Sequence, residues 1–151
     1  MASISRADKR FGQVQALQGL DIEIPRSGIT VLLGPNGAGK TTAIRLITGA
    51  LAPDDGAVTV FGTDPAGPDG EEVRRRCGVV SAKPSLYDRL SGRDNLRYAA
   101  ELYDLGRGSV VDDRIDEAAT WFGIQPALDP LVGGYSTGMK TRLALARAIL
   151  H

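Results

Sequence analysis

The chain has 151 residues, the size of one ordinary domain, so it is expected to form a single unit rather than a multidomain assembly. Eighteen Lys plus Arg balance eighteen Asp plus Glu, which excludes a global positive field able to gather nucleic acid or an anionic membrane surface. A hydrophobic fraction of 42% with 24% charged residues excludes disorder as the main state. A single cysteine, Cys77, excludes an internal disulfide and any multi-cysteine zinc site and reads as buried filler. No apolar run reaches the roughly 18 residues of a membrane span, and the start M-A-S-I-S-R-A-D-K-R carries no apolar signal stretch. A soluble, unsecreted chain is therefore expected.

In chain order, Asp21 to Ile24 alternates as a strand does, Ile29 to Leu33 is a continuous apolar run read as a buried strand, and Ala57 to Phe61 reads as another. Gly39 to Ile47 has helical character. Gly62 to Gly70 is a surface loop by its Gly, Pro and Asp content. Helical spacing follows at Ser91 to Leu102, where Ser91 and Asp94 make a capping-box start, at Val110 to Phe122, and at Gly138 to Leu150. On the helix over 110–122, Val111, Ile115, Ala118 and Phe122 share one face. Early strands and late helices predict an α/β domain with a helical insertion.

Nineteen glycines are well above average usage, and they mark places where backbone must come close to something. Gly34, Pro35, Asn36, Gly37, Ala38, Gly39, Lys40 and Thr41 satisfy G-x-x-x-x-G-K-[ST] between the apolar run ending at Leu33 and the helix beginning near Gly39. Glycines at 34, 37 and 39 let the loop turn its N–H groups inward around phosphate oxygens. Lys40 reaches the β and γ phosphates as a point charge, Thr41 offers its hydroxyl to Mg²⁺, Thr42 helps hold the α phosphate, and the helix directs its positive end at the same oxygens. A dinucleotide fingerprint starting from Gly37 and Gly39 would need glycine where Thr42 stands, so a nucleoside triphosphate is favoured over NAD.

A phosphate loop alone does not separate transport motors from kinases, GTPases or DNA-repair ATPases. The second landmark is Tyr135 to Leu150, Y-S-T-G-M-K-T-R-L-A-L-A-R-A-I-L. With it, the chain resembles the ATP-binding cassette (ABC) ATPases, whose signature is close to L-S-G-G-Q and precedes a helix rich in R-L-A-L-A-R-A. Ser136 and Gly138 at a helix start also form an anion-binding terminus in their own right. Gly134, Ser136 and Gly138 satisfy the G-x-S-x-G elbow of α/β hydrolases as well, but no acid follows Thr137 and the only histidine is His151, so no triad can be assembled.

The resemblance implies a P-loop NTPase fold of the ABC type, with an antiparallel β subdomain and a helical subdomain. It implies a strand-rich core with the phosphate loop over about 1–80, a helical subdomain over about 83–135, and a signature helix over 136–151. It implies Mg-ATP as cofactor, with Phe11 stacking on the adenine and Lys40 stabilising the phosphates. Ser136, Thr137 and Gly138 would cap the ATP of a second cassette in a head-to-tail dimer. The partners implied are that second ATPase subunit and an integral membrane transporter subunit, with no nucleic acid, and a place on the inner face of the cell membrane.

Several positions depart from the family pattern. Tyr135, Met139 and Lys140 differ from L and G-Q, a variant similar to that of exporter ATPases. G-V-V-S-A-K-P-S-L-Y, from Gly78 to Tyr87, puts Ala82 where the family carries a metal-linked glutamine after a strand, and neither alanine nor the adjacent Lys83 can ligate a metal. The strand ending in Asp, the catalytic Glu and the switch histidine that follow the signature helix in the family are not within these 151 residues, so the core sheet is expected to be incomplete. His151 follows the signature helix directly and is not read as that histidine. Trp121 is read as core. The leading expectation is an ABC ATPase chain ending after its signature helix and unable to hydrolyse ATP alone. A nonhydrolytic nucleotide-binding or regulatory module is the alternative. A third class, a P-loop kinase or nucleic-acid ATPase, would need an acceptor site or a basic face, and the balanced charge and the signature argue against it.

Overall fold

The computed structural model describes every residue except Arg107. The chain divides into two compact units, Met1–Cys77 and Gly78–His151.

The first unit is built on a three-stranded antiparallel sheet. Strands β1 (Ala2–Phe11), β2 (Val14–Ile24) and β3 (Asp55–Val60) lie in the order β2-β1-β3. β1 is absent from the expectations above, because R-A-D-K-R interrupts its apolar alternation; Ala2, Ile4 and Ala7 give the buried face. Helix α1 (Lys40–Ile47) packs Ala43 and Leu46 onto that face beside Ile4, Leu17, Val58 and Val60. A short helix, α2 (Gly70–Arg75), adds Val73 to the same core. Cys77 sits half-buried at its margin, and burial pushes its thiol up, away from nucleophilic reactivity.

β3 ends in a tight reversal. Val60 and Thr63 exchange backbone hydrogen bonds of 2.8 and 3.0 Å across Phe61 and Gly62, which hold φ of +53° and +90°. Two positive central φ values define a hairpin turn of the I′ kind, where Asn-Gly is the usual pair. An aromatic residue in left-handed backbone costs roughly 1–2 kcal/mol, because its Cβ crowds the following carbonyl.

The run Ile29 to Leu33 departs from expectation. It forms no strand: Ile29 is 94% and Leu33 85% exposed. An apolar run becomes a buried parallel strand only when neighbouring strands and helices cover both of its faces. Among the described residues the sheet holds the three antiparallel strands alone. Gly78 to Ser81 likewise forms no strand, and Val79 and Val80 stay exposed.

The second unit is helical: α3 (Gly92–Leu102), α4 (Ser109–Trp121) and α5 (Thr137–Ala148). The expected helices are present with ends shifted by a residue or two. Ser91 caps α3 as expected, its Oγ accepting from the Asp94 N–H at 3.0 Å, and the Asp94 carboxylate answers by accepting from the Ser91 hydroxyl at 2.6 Å rather than from its backbone N–H. Leu96, Ile115, Ala119, Leu128, Val132 and Leu143 make the core. Arg97 pairs with Asp112 and Arg93 with Asp116, both at 2.8 Å, across α3 and α4. Trp121 is not core: it closes α4 at 72% exposure, whereas Val111, Ile115 and Ala118 hold the expected buried face. His151 stacks on Tyr103 with ring centroids 4.3 Å apart.

Two predictions follow from the first unit. Asp54 accepts from Lys9 Nζ and from the Arg10 N–H, each at 2.7 Å, and these bonds, the Lys9 one foremost, hold its carboxyl below the ordinary value of 3.8. A lowered folded-state pKa gives stability that is present above the unfolded value and lost as pH falls through the folded one. Asp54→Asn should therefore flatten the fall of melting temperature below pH 3.8 relative to wild type; an unchanged acid limb counts against this role. The exposed run predicts that the chain binds a hydrophobic dye such as ANS and self-associates with rising concentration, and that the double variant Ile29→Ser, Leu33→Ser reduces both. A monomeric wild type that leaves the dye dark contradicts it.

Candidate functional site

The phosphate loop is positioned by one close approach. Gly39 caps α1 in left-handed backbone, φ +81°, and a Cβ there would lie 2.5 Å from the Ala16 carbonyl oxygen and 2.6 Å from Leu17 Cδ2. Only glycine satisfies both the conformation and the contact. The loop is thereby pinned to β2 where the helix starts, with Gly37 also in left-handed backbone at φ +87°.

The first-turn amides are left free. Ala43 N–H donates to Gly39 O at 2.8 Å and Ala38 N–H to Pro35 O at 3.3 Å, whereas the N–H groups of Gly39, Lys40, Thr41 and Thr42 have no acceptor among the described residues. Four unpaired donors at the positive end of a helix are an anion receptor. Lys40 folds back over the loop, its Nζ donating to Gly34 O at 2.7 Å and Pro35 O at 2.6 Å. Its ammonium stands at the mouth of the loop on neutral acceptors, which phosphate oxygens outcompete because charge-assisted bonds are stronger. Thr41 is exposed with no hydrogen bond to its hydroxyl among the described residues, and Thr42 is half-buried. The donor set fits a triphosphate, with the Thr41 hydroxyl open to a magnesium ion.

Phe11 ends β1 opposite Val14 at the hairpin turn and is 45% exposed, so it is not core. Lys9 Nζ lies 5.9 Å from its ring centroid. Ala16 and Leu17, which carry the loop, follow shortly after Val14 on β2, so the Phe11 ring and the loop share one end of the hairpin.

The remaining site residues lie in the second unit. Ser136 caps α5, its Oγ accepting from the Met139 N–H at 3.3 Å, and Ser136, Thr137 and Gly138 are exposed. Tyr135 is buried, its hydroxyl donating to the Ala127 carbonyl, and burial pushes its pKa up. Ala82 and Lys83 are exposed in an irregular segment where Ser81 Oγ donates to Lys83 O at 2.6 Å.

Two positions escaped the sequence reading. Asn95 is buried and holds Tyr87 by two bonds, accepting from its N–H at 2.8 Å and donating to its carbonyl at 3.1 Å. Asp88 pairs with Lys140 at 2.7 Å. An asparagine at a position of the buried helical face was the available signal for the first; the second joins residues 52 apart and left no local trace.

A helix start wrapped by a glycine-rich loop and finished by lysine defines a phosphate-loop nucleotide-binding protein. The family model described as ABC transporter matches residues 17–151, and the chain belongs to that family. The ABC transporter ATP-binding protein NatA of Bacillus subtilis is 35% identical over all of this chain and 63% of its own length. The bacitracin transport ATP-binding protein BcrA of Bacillus licheniformis is 34% identical over 95% of the chain and 45% of its length. The daunorubicin resistance ATP-binding protein DrrA2 of Streptomyces coeruleorubidus is 39% identical over 95% and 44%. The chain thus spans between under half and just under two thirds of these relatives. A solved ATP-binding subunit of an ABC transporter superposes with a TM-score of 0.82 at 28% identity, over 99% of this chain and 61% of that one. The fold is also that of cbiO1 from Clostridium perfringens, part of the ABC transporter complex cbiONQ, with a TM-score of 0.85 at 23% identity over 99% and 61%. No helix among the described residues is long and apolar enough to cross a membrane.

Gly39→Ala tests the geometry. It forces Cβ against the Ala16 carbonyl from a strained φ, so the variant should melt several degrees lower and lose ATP-analogue binding together. Wild-type binding by that variant refutes the assigned close approach.

Proposed function

We propose that these residues form the Mg-ATP-binding part of a transporter motor. The observation that carries this is the pairing of four free first-turn amides at Gly39 to Thr42 with the Lys40 ammonium at the loop mouth. The amides of Gly39 to Thr42 take phosphate oxygens, Lys40 takes the β and γ phosphates, and Phe11 stacks on the adenine. Thr41 Oγ1 would hold Mg²⁺, which supplies neutralisation of charge on the transferring phosphate. Ser136, Thr137 and Gly138 present their helix terminus to nucleotide bound on a second cassette, and a membrane subunit at the inner face of the membrane receives the motion. Among the similar proteins, one named for bacitracin transport and one named for daunorubicin resistance support a lean to export.

Hydrolysis requires a group that orients and deprotonates water. None of the loop's own residues can do so, and Ala82 brings no ligand to the metal. These 151 residues are therefore proposed to bind nucleotide without turning it over. The exposed Ala82 also favours a second reading, a nonhydrolytic nucleotide-binding module.

Lys40→Ala should weaken binding of a fluorescent ATP analogue tenfold or more with the far-ultraviolet dichroism unchanged; undiminished binding removes the phosphate-cradle assignment. Phosphate release by a longer polypeptide from the same reading frame separates the two readings: turnover supports the motor, an inert product the binding module.

A further inference from the structure

A second cavity lies at the other end of the sheet, where nothing in the nucleotide reading places a role. It measures about 450 Å³ and is lined by Ser3, Arg26, Thr59, Phe61 and Arg76 among others. The cavity opens at the Ala2 end of β1, whereas Phe11 and the phosphate loop stand at the opposite end of that ten-residue strand, up to about 30 Å away.

Three independent features make it a binding site rather than a surface dimple. First, its lining includes two guanidinium groups and no carboxylate, and neither Arg26 nor Arg76 enters an ion pair among the described residues. Second, the Arg76 guanidinium lies 3.9 Å from the centroid of the Phe61 ring, while Phe61 remains 45% exposed. The flat cation covers one face and leaves ring surface open for stacking. Third, Phe61 occupies the turn position where asparagine is at ease, in left-handed backbone, fixed by the Val60–Thr63 bonds and by its own N–H donating to Met1 O at 3.0 Å. Strain of this kind is retained where a side chain must point into a site.

We propose that this cavity binds a small aromatic oxyanion, its ring stacked on the Phe61–Arg76 pair and its carboxylate or phosphate held by Arg26 and Arg76. The volume of the cavity is large enough for a single substituted ring. Thr59 adds a hydroxyl to the same wall.

The test is titration of the 151-residue chain with benzoate and, separately, phenyl phosphate, followed by backbone amide and arginine Nε shifts in ¹⁵N NMR. Inorganic phosphate and cyclohexanecarboxylate serve as comparisons. Saturable shifts at Ser3, Thr59 to Thr63 and Arg76 are expected for both aromatic anions. Cyclohexanecarboxylate should bind at least fivefold more weakly and inorganic phosphate should act chiefly at the phosphate loop. Arg76→Gln should weaken benzoate tenfold or more. Phe61→Asn should raise the melting temperature, because it relaxes the turn, while weakening benzoate by a similar factor; a merely structural Phe61 gives no such opposition. Preference for benzoate over phenyl phosphate identifies a carboxylate as the natural group, and the reverse a phosphate. Absence of shifts at these residues, or benzoate affinity unchanged in either variant, overturns the proposal.

Discussion

The approach of Gly39 to the Ala16 carbonyl governs the first unit. With no Cβ between them, the end of the phosphate loop lies directly on β2, and the left-handed backbone at that point turns the chain from loop to helix in a single residue. The geometry at the start of α1 follows from this. The helix begins with its first amides unpaired, Ala43 and Leu46 fall on the sheet face, and Lys40 emerges at the one position from which its ammonium can fold over the loop mouth. A side chain at 39 would push the loop off β2 and misaim all four amides together, because the helix moves as a rigid body with its first turn.

The legibility of the chain follows the range of the interactions involved. Helices closed by local bonds are readable: Ser91 with Asp94 fixes the start of α3, and the buried stripe Val111, Ile115 and Ala118 fixes the face of α4. The phosphate loop is readable for the same reason, since its receptor is its own backbone. Ile29 to Leu33 shows the opposite case, where composition states what the segment can become and neighbours decide whether it does. Its apolar run is suited to a strand covered on both faces, but a sheet of β1, β2 and β3 offers no such place, and the run stays irregular and exposed. β1 failed in the other direction, its polar middle hiding a strand that pairs on both edges. Trp121 failed because size was read as burial; at the last turn of α4 its ring lies off the stripe that packs.

At the Phe61 turn and at the Gly39 loop of the first unit, backbone conformation and residue identity bear on each other, and the two positions differ instructively. At Gly39 conformation and residue agree, so the geometry comes without strain. At Phe61 they conflict, and the conflict persists because the Val60–Thr63 bonds and the Met1 carbonyl over-determine the turn. Agreement of this sort marks a scaffold element; conflict marks a side chain held in place for its own contacts.

In the second unit helix α5 carries a cation near its start, where a helix disfavours one. Lys140 lies in the first turn of α5, next to the positive end of the dipole, and its ammonium alone would repel that end. Asp88 answers the charge at 2.7 Å, and Asp88 is itself placed by backbone bonds, Gly133 N–H donating to its carbonyl at 2.9 Å and Val132 N–H to Leu90 O at 3.0 Å. The segment before α3 and the segment before α5 are thereby stitched together, with Asn95 holding Tyr87 at the head of the stitch. Lys140 therefore adds no net charge beside the Ser136 terminus, since the lysine is spent on Asp88, and the Ser136 Oγ already caps the Met139 N–H there. The geometry of that terminus rests on the Ser136 cap and the helix end, not on the basic residue beside them.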